Sequence, residues 1–116
     1  MILGQVHRLV RRILESKNKL LFISHPYSDN PDDNKKKVNK ICKKLFNEGK
    51  IPLSPLHMLS YMSDDRHRKA IILICKSLMV VSTECLFYMY EELSEGQKIE
   101  IDYAGKIGKP VRVIEV

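Results

Sequence analysis

Apolar residues recur at Val6, Leu9, Val10, Ile13 and Leu14. That i, i+3, i+4, i+7, i+8 stripe predicts an amphipathic helix over residues 5–16. Residues 1–18 are read as this added N-terminal helix and residues 19–116 as one domain. The run Lys19-Leu20-Leu21-Phe22-Ile23-Ser24 predicts a short buried strand, followed by the polar turn HPYSDNPDDN. Asn30 is placed to cap a second helix, with Pro31 at its first position and Asp32 and Asp33 in its electropositive first turn. Val38, Ile41, Cys42 and Leu45 give that helix its apolar face, and Gly49 ends it. Lys50-Ile51-Pro52-Leu53-Ser54 reads as a second strand, and Pro52 sets it at a sheet edge.

The stretch from Ala70 to Cys75 is apolar all round. Arg66, Arg68 and Lys69 break any period of two, so a helix starting near Asp64 is expected. Leu78-Met79-Val80-Val81-Ser82 reads as the third strand and Cys85–Tyr90 as a long aromatic loop within residues 83–93. That loop is expected to pack against the N-terminal helix, stack a base or form a subunit contact. Ser94 and Gln97 form a capping box for a helix that runs to Gly108, and residues 109–114 close the chain as a strand. Strands alternating with helices predict a parallel sheet covered on both faces. With the strand order 2-1-3-4, the ligand crevice lies beyond the carboxyl ends of strands one and three. The loops from Ser24 and Ser82 and the start of the last helix would line it.

One residue breaks the pattern of the last helix. With Ile99 at the origin, Tyr103 falls at about 40°, Ile107 at about 80° and Ala104 at about 140°. Glu100 falls at about 100°, inside this apolar arc. A carboxylate facing a core costs several kcal/mol unless paired or wet. Either a cation such as Arg112 neutralises Glu100, or it faces a cavity.

Composition narrows the class. The 116 residues are 44% hydrophobic and 29% charged, which suits one globular domain. No apolar run approaches a membrane span, and no signal peptide is recognisable. Cys42, Cys75 and Cys85 are odd in number and lack zinc-ligand spacing, so reduced packing cysteines in a cytoplasmic protein are expected. The net charge of +6 is concentrated at Arg8, Arg11 and Arg12 and from Lys35 to Lys44. It is read as a solvated helix face, because no nucleic-acid motif accompanies it. No Asp, His or Cys cluster has metal-ligand spacing and no glycine-rich dinucleotide fingerprint is present, so neither metal nor cofactor is expected.

The segment SEGQKIEIDYAGKIGKP, residues 94–110, resembles the signature of nucleoside 2-deoxyribosyltransferases and the related nucleoside-phosphate N-hydrolases. Gly96, Glu100, Ile101, Tyr103, Ala104, Gly108, Lys109 and Pro110 carry the match. The segments LLFISHPYSDNPDDN and EGKIPLSPLHML are similar to a branch of that superfamily, the DUF4406-like proteins of phages and bacteria. Ser24, Pro26, Tyr27, Asn34, Gly49, Ile51, Pro52, Ser54 and Pro55 match there. The resemblance covers residues 19–116. It implies a flavodoxin-like three-layer sandwich, a small-molecule nucleoside or nucleotide substrate and a homo-oligomer. It also implies cleavage or transfer at an N-glycosidic bond, with Glu100 attacking the anomeric carbon.

Tyr27, by bonding the sugar or the nucleophile, and Asp64, by protonating the leaving base, join Glu100 as catalytic candidates; Asp65 and Glu92 are further acids. Ser24, His25, Pro26, Ser82, Ser94, Gly96 and Tyr103 are the expected substrate contacts, with a 5′-phosphate at the helix start near Ser94 and Gly96. The relatives carry an acid beside the third strand, where this chain has Lys76-Ser77 and Ser82-Thr83-Glu84. Two further possibilities stay open: a pocket that binds a nucleotide or ADP-ribose-like ligand without turnover, and an interaction protein with a vestigial pocket.

Overall fold

The computed structural model describes residues 4–8, 11, 20–27, 29–62 and 64–116, with backbone alone at 64 and 65. Residues 4–8 and 11 are helical, and Val6 is exposed. Leu9, Val10, Ile13 and Leu14, which complete the N-terminal stripe, lie outside the described residues.

The elements run β1 (Leu20–Ser24), α1 (Pro31–Asn47), β2 (Ile51–Leu53), α2 (Pro55–Met58), α3 (Asp64–Val81), β3 (Glu84–Met89), α4 (Glu95–Lys106) and β4 (Val111–Glu115). The strands form one parallel sheet in the order β2-β1-β3-β4. Pro52 therefore sits in an edge strand, where its missing N–H breaks no central ladder.

Local chemistry sets the boundaries. Asn30 accepts a hydrogen bond from the Asp33 amide at 3.4 Å, Pro31 opens α1, and Gly49 takes a φ of +84° just after it. That left-handed conformation disfavours side chains other than glycine. Ser94 and Gln97 complete their capping box at the start of α4.

Alternation along the two central strands divides the core. Leu21 and Ile23 of β1 and Leu86 and Tyr88 of β3 pack with Val38 and Leu45 of α1. Phe22, Cys85 and Phe87 point the other way, against Cys75 and Met79 of α3 and Ala104 of α4. Phe22 and Phe87 are wholly buried, and burying a side chain of this size contributes about 1.5–3 kcal/mol.

The third strand differs from the sequence expectation. Residues 78–81 finish α3, and the supposed aromatic loop is β3 itself. Met79 is buried in the helix while Val80 and Val81 point outward, 49% and 58% exposed. Two apolar runs stand side by side here, and a strand buried on both faces is as continuously apolar as the end of a buried helix.

Candidate active site

The carboxyl ends of β1 and β3 open into a cleft of about 670 Å³, closed laterally by α3 and by the start of α4. Ser24, the last residue of β1, is buried and donates its hydroxyl to Glu100 Oε1 at 2.9 Å. Glu100 lines the cleft from α4. Arg112, the cation that might have neutralised it, instead bonds Glu84 at 2.8 Å on the sheet edge. Burial pushes the Glu100 carboxyl up to about 7, and the Ser24 hydroxyl acts against that rise. The Cys75 thiol, also in the wall, is pushed up to about 12 by burial and by the nearby Glu100 charge, so it stays a thiol.

Gln97 holds this arrangement in register. It is 2% exposed. Its amide nitrogen donates to the carbonyls of Tyr88 at 2.8 Å and Ser24 at 3.4 Å, and its amide oxygen accepts from the Ser94 amide at 3.0 Å. One side chain thus ties the start of α4 to the ends of both central strands, one helical turn before Glu100.

The loop after β1 is fixed by similar bonds. Asn34 donates to the Tyr27 carbonyl at 3.1 Å and to Asp29 at 2.7 Å. His25 Nδ1 lies 2.7 Å from the Pro26 carbonyl, and Nε2 lies 2.7 Å from the Tyr90 hydroxyl. A carbonyl only accepts, so Nδ1 carries the proton and Nε2 takes the tyrosine's. Burial pulls the imidazole pKa down and keeps it neutral. Lys37 lies over the Tyr90 ring at 4.8 Å and pairs with Asp33 at 3.1 Å.

Ser24, His25, Pro26, Tyr27, Ser94, Gly96 and Glu100 therefore meet in one cleft. Ser82 and Tyr103 do not. Ser82 ends α3 at the opposite, amino end of β3, where its hydroxyl bonds the Leu78 carbonyl and its own carbonyl accepts from Lys109. Tyr103 follows Glu100 down α4 into the lower core, with Lys76 over its ring at 4.9 Å. Asp64 begins α3, but its side chain and that of Asp65 lie outside the described residues. Moving β3 to residues 84–89 also moves its exit to Tyr90-Glu91-Glu92, so acids do stand beside the third strand. Glu91 there holds a left-handed φ of +63°. Among the described residues no cluster of three or more His, Cys, Asp or Glu could hold a metal, and no described helix is long and apolar enough to cross a membrane.

Gln97, expected only as a cap, Lys37, expected on a solvated helix face, and Arg68, expected only as part of a helix, also line the cleft, as does Tyr90 of the expected aromatic loop. The position of Gln97 one turn before Glu100 was the available signal.

The arrangement predicts the effect of Ser24→Ala. A hydrogen bond to a charged group contributes about 1.5–3 kcal/mol, so its removal should raise the Glu100 titration by about one pH unit or more. NMR titration of the Glu100 carboxyl carbon checks this; an unchanged midpoint would show that Ser24 does not stabilise the carboxylate.

Residues 19–114 match the family model described as a domain of unknown function, DUF7768; the match is to this family and not to the DUF4406 family. No curated protein matches. A solved structure, the 2-desoxiribosyltransferase from Leishmania mexicana, is similar with a TM-score of 0.65 and 18% identity over 84% of this chain and 64% of that one. The chain thus spans less than two thirds of that enzyme's length, and the likeness is one of fold.

Proposed function

The chain belongs to the DUF7768 family, and from its cleft we propose that it cleaves or transfers at the N-glycosidic bond of a nucleoside or nucleoside 5′-monophosphate. Glu100 is the nucleophile. The observation that carries this is an inward carboxylate at the end of a parallel sheet, bonded by Ser24 and paired with no described cation. The fold shared with a 2-desoxiribosyltransferase supports it.

The chemistry suits the group. As the bond from C1′ to the base lengthens, positive charge grows on the sugar, and a carboxylate in a poorly hydrated cleft stabilises it strongly. Its oxygen then bonds C1′, giving a glycosyl ester that water or a second base resolves. The Ser24 hydroxyl holds the carboxylate in position and favours its ionised, nucleophilic form. The Ser94 and Gln97 amides are used by the capping box, which leaves the Glu95 and Gly96 amides at the helix start for a sugar phosphate.

Incubation of the protein with nucleosides and their 5′-monophosphates, followed by chromatography for free base, tests the proposal. Base should be released by the parent and not by Glu100→Ala. Ligand-induced melting shifts with no release from any substrate would reject catalysis and leave a binding module.

A further inference from the structure

We propose that the preferred N-glycoside is one whose base already carries a positive charge, such as a pyridinium or N7-alkylated purine riboside. This rests on the glycosidic function proposed above and specifies its substrate class.

The charge of the cleft runs against that of the chain. The protein is formally +6, yet Asp29, Glu92, Glu95 and Glu100 line the cleft against Lys37 and Arg68. Lys37 is already engaged by Asp33 and Glu95 by Lys98, which leaves Asp29, Glu92 and Glu100 against Arg68, and Glu92 has no ion-pair partner among the described residues. Tyr27 and His25 add aromatic surface, and Tyr90 meets His25 edge to face at 5.0 Å while one face of its ring carries Lys37. Carboxylates beside aromatic faces favour a flat cation over a neutral base.

The protons of His25, Tyr90 and Ser24 agree. A neutral base leaves readily only when an acid protonates it. Here His25 donates to the Pro26 carbonyl, Tyr90 is bonded to His25, and the Ser24 hydroxyl serves Glu100. Asp29, bonded by Asn34, is held below the usual carboxylate range. A base that is already cationic needs none of these protons. A Glu100 oxygen bonds C1′, the bond from C1′ to nitrogen breaks, and its electron pair cancels the positive charge on the base, which departs neutral. Water then bonds C1′, the ester pair returns to Glu100, and the water proton passes to solvent.

The test compares nicotinamide riboside and 7-methylguanosine with uridine and guanosine, each rate divided by its uncatalysed rate. The charged substrates should show kcat/KM enhancements at least about tenfold above their neutral counterparts, and Glu92→Gln should cut that preference by about threefold. For nicotinamide riboside, kcat/KM should rise with pH through about 7 as Glu100 ionises and then stay level. Equal or greater enhancement of the neutral nucleosides, or a falling alkaline limb that reveals an acid such as Asp64, would overturn the charge preference and leave the glycosidic function standing. Base release from none of the four would overturn both.

Discussion

Glu100→Gln should melt well above the parent protein at pH 8 while losing base release by at least about a thousandfold. The two effects have one cause. In the folded chain the carboxyl titrates at about 7, against an ordinary value of 4.5. Between those values the folded state holds the proton more firmly than the unfolded state, so the contribution of Glu100 to stability falls as pH rises through the window. It is neutral below about pH 4 and fully destabilising above 7, by about 3 kcal/mol. Glutamine cannot ionise and does not incur this loss. The variant's advantage should therefore be near zero at pH 4, open between 4.5 and 7, and level off at about 10 °C in melting temperature. Other carboxylates titrate in both proteins and cancel from the difference. Paired thermal melts from pH 4 to 8 check it. A difference that does not change with pH would show that the carboxylate is fully hydrated, which removes the electrostatic basis of its proposed role.

That Glu100 faces inward was legible from the helical wheel alone, because it depends only on the 100° step and the neighbouring apolar residues. The caps at Asn30 and Ser94, the turn at Gly49 and the edge position of Pro52 were legible for the same reason: each is fixed by groups a few residues apart. The alternation of strands and helices made a parallel sheet legible but not its order; 2-1-3-4 is the order of the flavodoxin-like fold that the resemblance implies, and it is the order found. The helix from Asp64 through Cys75 was legible, but the region from 78 to 90 was not. The end of α3 and β3 from Cys85 to Met89 are both continuously apolar, and only the sheet pairing of Phe22 with Cys85 and of Ile23 with Leu86 separates them. Ser82 was misassigned as a direct result. Tyr103 shares the inward arc of Glu100, but the wheel carries no height, and the cleft opens only at the first turns of α4. The role of Gln97 as a clamp depends on the Ser24 carbonyl, 73 positions away, a contact no local pattern encodes.

Gln97→Leu tests that clamp. The substitution keeps most of the side-chain volume, so cavity formation adds little. It removes the donor serving the Tyr88 and Ser24 carbonyls and the acceptor serving the Ser94 amide. Leaving a buried polar group without its partner costs about 1–3 kcal/mol. The Ser94 amide sits at an exposed helix start where water can replace the lost bond, so the two carbonyls dominate and the expected loss is about 3 kcal/mol. Ser94→Ala is the control. It deletes only the capping hydroxyl, worth about 1 kcal/mol, and leaves both Gln97 bonds to the strands. Urea denaturation of the two variants separates a cap from a clamp. A loss in Gln97→Leu no greater than in Ser94→Ala would make Gln97 a capping residue and nothing more. The larger loss, together with a displaced Glu100 titration, would mean that the same amide that stabilises the junction of β1, β3 and α4 also sets the distance between Ser24 and the carboxylate. In that case the geometry proposed for catalysis and the stability of this end of the sheet cannot be varied independently.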